Sequence, residues 1–392
     1  MPRSRGPAAG MSAGHQIDAR ARQLFRELYG YPPAAVATAP GRMNIIGEHT
    51  DYNGGWVLPA AIDRFIGVAF RERRDSQVVL RSERFPAPVI FPELPTRKQG
   101  AWPDYIVGVA RELDGRPGPR PGFDVLVTSD LPPGSGLSSS AALEVAFAVA
   151  YLAAVGRSMP PADLARLCQR AENAFVGART GIMDQFTALY ARAGNAILLD
   201  CRTLQADDIP LPDGRHAFLL VDSKVRHDLA SSAYNERRRE CDRAAAALGV
   251  ESLRDAAETD LERIDDPLLR RRARHVLTEN RRVLAAAGAL RGRDTQQLGP
   301  LLAASHASLR DDFEVSCREL DVLVSLAVES PHVVGARMMG GGFGGCVIVI
   351  VEAAAIDDLE QHLQIGYADA FHKSPEFYRV RAVDGTMPER FH

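Results

Sequence analysis

The stretch LPPGSGLSSSAALEVA, Leu131 to Ala146, joins an expected strand (Phe123 to Thr128) to strong helix formers, Ala141 to Ala154, that stop at Gly156. The order is strand, loop, helix. A loop that opens a helix offers unpaired backbone N–H groups and the positive end of the helix dipole, and so favours an anion. Gly134 and Gly136 let the backbone approach that anion closely, and Ser135 and Leu137 complete the turn. Ser138, Ser139 and Ser140 add hydroxyls that can reach a phosphate or a magnesium ion. The GxxxxGK[ST] spacing and its lysine are absent, so this is a phosphate loop of another kind. A glycine–serine turn that only caps a helix is the competing structural explanation.

Outward from the loop, composition narrows the options. At 392 residues the chain is long enough for two domains sharing a cleft. Its apolar share of 46% and charged share of 25% are those of ordinary globular proteins. A formal charge of −3 gives no basic field for nucleic acid. The clusters Arg237 to Arg239 and Arg270 to Arg274 are interleaved with Glu236, Glu240, Asp265 and Asp266, which predicts solvated helix faces. The five scattered cysteines contain no CxxC pair and suggest neither a disulfide framework nor a zinc site. The apolar stretch Val145 to Val155 is too short to span a bilayer, and the first residues lack a signal core, which points to the cytoplasm and away from a membrane. Nothing suggests an assembly beyond a monomer or weak oligomer.

Residues 1–14, rich in Gly, Pro, Ser and Ala, read as a mobile leader. Val36 to Arg81 is strand-rich. A helix follows Pro161, with Leu164, Leu167, Cys168, Ala171 and Phe175 on one stripe and Glu172 at its edge, where an acid can point into a cleft. Asn235 to Ala307 is expected to be largely helical, broken near Gly249, Pro267 and Gly288. Gly340 to Gly345 precedes an apolar strand, Cys346 to Val351, and a helical segment runs from Ala353 to Phe371.

Two further segments join the loop: GRMNIIGEHTDYNGGWVLPAAI (Gly41 to Ile62) and GARMMGGGFGGCVIVIV (Gly335 to Val351). Together the three resemble the ordered motifs of the GHMP kinase superfamily, and the first looks specifically like the galactokinase signature. GIMDQF (Gly181 to Phe186) and VRHDLASSAYNERRREC (Val225 to Cys241) extend the likeness over nearly the whole chain after the leader. The resemblance implies a two-domain α+β fold with the active site between the domains. The N-terminal domain (15–205) would be of the ribosomal-protein-S5 domain 2-like type, and the C-terminal domain (206–392) ferredoxin-like. It also implies transfer of the ATP γ-phosphoryl group to the anomeric C1 hydroxyl of α-D-galactose, with Mg²⁺ as cofactor and galactose and ATP as small-molecule partners.

By the same resemblance, Glu48, His49 and Asp51 bind galactose hydroxyls with Gly181, Asp184 and Tyr234. Short polar groups fixed in a tight turn suit that task, because a site built to hydrogen-bond a hydroxyl rejects analogues that misplace it. For His49, a turn-stabilising hydrogen bond or metal ligation remain alternatives. Asp184 matches the family's catalytic base and Arg42 its partner. An arginine there would favour the carboxylate form yet weaken it as a base, so proton acceptance by Asp184 and charge stabilisation by Arg42 compete as the main contribution. A buried pair serving only structure is the bland alternative. Ser140 and Glu172 match the family's magnesium ligands, although a boundary glutamate is ordinarily just solvated. The glycine run at 340–345 would lie beside the phosphate loop as architecture.

The sequence departs from the family pattern at Trp56, Lys224 and Ala233. The last two are expected near the sugar pocket, with consequences for fine sugar preference. A non-catalytic sugar and ATP sensor, or a kinase for a related sugar, are the rival readings. Loss of part of the loop or of the base would favour the first, and Ser139, Ser140, Arg42, Glu172 and Asp184 are all present.

Overall fold

Strand β3 (Pro59–Glu72) is buried along most of its length because helices cover both of its faces. On one side, α1 (Ala13–Tyr29) seats Ala21 and Phe25 on Ala69 and Leu126. It comes so close that a Cβ on Gly67 would lie 2.6 Å from the Ile17 side chain. On the other side, α3 (Ser139–Ala154) packs its alanines, Phe147 and Tyr151 near Phe70. That explains why α3 is apolar around nearly all its circumference: it is a core helix. The computed structural model describes residues 12–114, 121–132, 134–212, 214–226 and 230–387.

β3 belongs to a five-stranded sheet in the order β1 (Ala35–Asn44), β3, β6 (Phe123–Ser129), β4 (Val78–Ser82), β5 (Phe85–Phe91), in which only β4 and β6 run parallel. β2 (Trp56–Val57), β7 (Asn195–Asp200) and β8 (Ala206–Pro210) form a second, small sheet. α2 (Pro103–Asp114), α4 (Pro161–Ala171) and α5 (Met183–Tyr190) complete this half. The second half has a four-stranded antiparallel sheet in the order β10 (Val333–Met338), β11 (Cys346–Glu352), β9 (His216–Asp222), β12 (Glu376–Val380). α6 (Ala230–Leu248), α7 (Pro267–Arg291), α8 (Leu298–Asp311) and α9 (Arg318–Val328) precede β10, and α10 (Ile356–Phe371) precedes β12. Strand, helices, two strands, helix, strand in this spatial order is the ferredoxin-like pattern with an enlarged first helical crossover.

Four expectations change. The expected leader ends earlier, because Ser12 caps α1 and residues 13 and 14 are helical; residues 1–11 lie outside the described residues. The expected border after residue 205 falls inside the β7–β8 hairpin, so β8 completes a sheet of the first half. The chain end also returns there, where Val383 N donates to Ala61 O and Gly385 N to Ala191 O. No break occurs at Gly288: α7 runs on to Arg291, since one helical glycine costs only about 1 kcal/mol and packing overrides it. The arginine cluster at 270–274 is not wholly solvated. Arg272 is fully buried and donates to Glu240 and Glu314, each at 2.6 Å, tying α6, α7 and the α8–α9 connection together.

Among the described residues, no helix is long and apolar enough to cross a membrane.

Candidate active site

A cavity of about 310 Å³ lies where the two halves meet. It gathers Arg42, Glu48, His49, Asp51, Gly181, Asp184 and Tyr234 with Gly134, Gly136, Leu137, Ser138, Ser139 and Ser140. Two predicted residues stay out of its wall. Ser135 is buried and donates its hydroxyl to Pro132 O, and Glu172 lies behind the wall. Lys224 and Ala233 do not line the cavity either; Lys224 is exposed and paired with Glu376.

The phosphate loop is shaped by positive φ angles at Gly134 (65°), Gly136 (76°) and Ser138 (60°). Ser138 precedes α3 but does not cap it, because its hydroxyl donates to Asp184 Oδ2 at 2.6 Å. The first N–H groups of α3 therefore keep their anion-binding capacity. The glycine run between β10 and β11 backs the loop as expected: a Cβ on Gly340 would stand 3.3 Å from Gly136 O. Gly344, at φ 129°, lets the run pass Val225 O, which a Cβ would approach to 2.5 Å.

Arg42 reaches the same place from β1. A bulge between Pro40 and Arg42 reorients the strand, and Arg42 N donates to Leu137 O at 3.1 Å. The buried guanidinium then donates from Nε to Asp184 Oδ1 at 2.8 Å, from Nη2 to Asp184 Oδ2 at 3.3 Å, and from Nη1 to Gly136 O. Asp184, in the first turn of α5, is thus gripped by Arg42 and Ser138 between the loop and the sugar motif.

On the sugar side, Gly181 has no Cβ because one would lie 2.1 Å from Asp51 Oδ2. Burial, then the nearby Asp184 charge, pushes the Asp51 carboxyl up to about 7. Glu48 accepts from Gly340 N at 2.8 Å and lies 3.4 Å from the buried Arg337. Burial pushes His49 down to about 3, which leaves a neutral ring. Its Nε2–H donates to Gly341 O (3.2 Å) and its Nδ1 accepts from Tyr52 Oη–H (2.8 Å). Both ring nitrogens are therefore engaged within the protein, in line with the turn-stabilising alternative. Tyr234, from α6, packs its ring against His49 and Tyr52.

Glu172 occupies the first position of a π turn, Glu172–Val176, that widens the end of α4. It is buried, not solvated, which raises its pKa; Thr180 Oγ1 and Gln185 Nε2 donate to its Oε2 at 2.7 and 2.8 Å, and the nearby Ser140 side chain favours its carboxylate form. No group of three or more His, Cys, Asp or Glu residues able to hold a metal exists among the described residues. One serine and one buried carboxylate nevertheless suit Mg²⁺, which usually takes only one or two protein oxygens beside phosphates and water.

Several supporting residues escaped the sequence reading. His275 Nε2 donates to Glu48 O (3.1 Å), Glu279 accepts from Gly47 N (3.0 Å) and Asn280 from Trp56 N (3.0 Å), so one face of α7 holds the sugar motif. Polar residues at helical spacing in an alanine- and arginine-rich segment were the available signal, and they are indistinguishable there from a solvated face. Arg226, bonded to Asp222, lies beside Gly134, where a Cβ would stand 2.9 Å from its Nε.

Comparison with known proteins agrees in order and extent. The galactokinase galactose-binding signature matches residues 23–72, the GHMP kinases N terminal domain 104–192 and the GHMP kinases C terminal domain 286–369. The chain is 44% identical over 383 residues to galactokinase of Homo sapiens, covering 94% of this chain and 96% of that protein. It is 43% identical over 374 residues to galactokinase of Roseiflexus sp. strain RS-1, with 93% and 95% covered. The structure of Lactococcus lactis galactokinase complexed with galactose aligns with a TM-score of 0.89 at 33% identity, over 95% of this chain and 99% of that one. Methanococcus jannaschii mevalonate kinase, at a TM-score of 0.62 and 17% identity over 89% and 98%, shares the fold. The likeness runs along the entire fold and includes the galactose-binding signature over the Glu48–Asp51 turn: the chain belongs to the galactokinase family of the GHMP kinases.

Proposed function

We propose that the protein transfers the γ-phosphoryl group of ATP to the anomeric C1 hydroxyl of α-D-galactose, giving α-D-galactose 1-phosphate and ADP. The observation that carries this is the position of the Asp184–Arg42 pair, with the phosphate loop on one side and the Glu48–Asp51 turn on the other in a single cavity. Phosphates bind at Gly134 to Ser140, on the N–H groups that open α3. The sugar takes Asp51, the remaining valence of Glu48, Tyr234 and the Gly181 backbone, while His49 fixes the turn through Tyr52 and Gly341.

Asp184 accepts the C1 hydroxyl proton. Arg42 and Ser138 fix the orientation of its carboxylate, which places the acceptor in line and lowers the entropic part of the barrier. A loose transition state demands little early deprotonation, so charge stabilisation by Arg42 contributes alongside the base. Ser140 and Glu172 would hold Mg²⁺, which neutralises phosphate charge when bound. The cytoplasm remains the proposed compartment.

The sensor alternative is not favoured, since loop, base and sugar motif are all in place and full-length relatives are galactokinases. A coupled ADP-release assay over a panel of sugars, with and without Mg²⁺, tests the proposal. Galactose-dependent, Mg²⁺-dependent ADP release is expected. Turnover with mevalonate but not galactose would overturn it.

A further inference from the structure

Ser140 and Glu144 are one turn apart on the same face of α3. Glu144 is the single charged residue of that helix and is fully buried among alanine, valine, leucine and phenylalanine. Its Oε2 accepts from Gln185 Nε2 at 3.0 Å, and its Oε1 has no hydrogen-bond partner among the described residues. Gln185, equally buried and next to Asp184 on α5, donates from the same Nε2 to Glu172 Oε2 at 2.8 Å, and its own Oε1 has no partner among the described residues.

For the fold alone this arrangement is unfavourable. Burial raises the Glu144 pKa well above the carboxylate range, and a methionine would fill similar space without an unpaired oxygen. What Glu144 does supply is an acceptor. Among the described residues, the Gln185 amide is oriented by the two carboxyl groups flanking its Nε2. Remove Glu144 and one of those restraints disappears, along with the fixed direction from which Gln185 holds Glu172. Partners behind a ligand govern its orientation in this way in metal sites generally.

We propose that Glu144 is a positioning residue for the divalent-cation site: through Gln185 it engages one oxygen of Glu172, so that the carboxylate presents a single orientation to Ser140 and the cation. The inference rests on the reading of Ser140 and Glu172 as magnesium ligands. It places the support for the cation inside the hydrophobic core of the first half, on the helix that the phosphate loop opens.

The test compares Glu144→Met, Glu144→Gln, Gln185→Met and Glu172→Ala by two readouts. One is the thermal shift given by a non-hydrolysable ATP analogue with and without Mg²⁺; the other is the Mg²⁺ concentration for half-maximal rate. Glu144→Met should raise that concentration by about 10- to 100-fold with kcat at saturating Mg²⁺ retained, and should lose the extra thermal shift that Mg²⁺ adds. Its shift with the analogue alone should be kept. Glu144→Gln, which retains an acceptor, should restore both readouts. Gln185→Met should reproduce the loss, and decides the matter if Glu144→Met folds poorly. Weakened Mg²⁺ response in Glu172→Ala beside an unchanged response in Glu144→Met and Gln185→Met would overturn this inference alone. An unchanged response in Glu172→Ala would overturn the cation site itself and the inference with it.

Discussion

The phosphate loop and the sugar motif face each other across one cavity, yet they are held in place by different means. The loop is steadied chiefly by backbone: positive φ angles at Gly134 and Gly136, and a glycine run pressed against it from the other half. The sugar motif is steadied by buried side chains from afar, with His275, Glu279 and Asn280 of α7 each bonding a backbone group of residues 47–56. An anion site needs close backbone approach, which glycine permits. A sugar site needs several polar groups fixed at once, and fixing them takes a satisfied hydrogen-bond network. Asp184 sits where the two meet.

Substitutions can break this contrast, beginning with the shared element. Asp184→Asn should lower kcat by roughly 10²- to 10⁴-fold with ATP affinity little changed, measured by ADP release and analogue binding. A loss under tenfold would remove Asp184 as the base. Because Asp184 also pairs with Arg42, the melting temperature of the variant belongs beside its rate: a purely structural pair predicts a folding defect in place of a catalytic one.

On the sugar side, Glu279→Leu strands Gly47 N, Ser305 Oγ and Arg282 Nε, all bonded to that carboxylate. Chemical denaturation should report a loss of about 3–5 kcal/mol. Wherever the variant folds, the galactose KM should rise more than the ATP KM. On the loop side, Gly344→Ala meets Val225 O and a φ of 129°, and should cost about 1–3 kcal/mol, with the ATP KM rising and the galactose KM nearly constant. If both variants shifted both KM values alike, the two regions would not be separately supported.

A smaller effect concerns pH. The Asp51 carboxyl, raised to about 7 by burial and by Asp184, binds its proton more tightly folded than unfolded. Its contribution to stability is full below the unfolded value and is lost as pH rises towards 7. Asp51→Asn lacks this loss. Between pH 5 and 8 it should therefore gain about 1–2 kcal/mol relative to the parent chain, a figure reduced because Asp51 is only partly buried. Equal pH profiles would show that Asp51 is not so perturbed.

The same contrast governs what the sequence revealed. Contiguous features were readable: the strand–loop–helix order around Gly134 to Ser140, the glycine run before β11, and the polar turn from Glu48 to Asp51, because local backbone demands leave local residue signatures. Roles set by distant contacts were not. Arg272 and Glu279 sit in a helix whose charges look solvated until α6 and α8 cover them. The loop sequence marks Ser138 as a phosphate-binding hydroxyl, and its bond to Asp184 depends on how α5 docks. Helical spacing puts Glu172 at a stripe's edge, whereas a π turn and Gln185 enclose it. The border after β8 was hidden because only Ile209 of Ala206–Pro210 is buried and the strand pairs on one side alone.

The most direct test of the central claim is to identify the product by NMR. Incubation of the protein with Mg²⁺, ATP and galactose labelled with ¹³C at C1 should yield a single sugar phosphate whose ³¹P nucleus couples to the labelled carbon and to an α-anomeric proton. Phosphate on another carbon, or release of inorganic phosphate alone, would contradict the account of a cavity that sets the C1 hydroxyl against Asp184 and the phosphate loop.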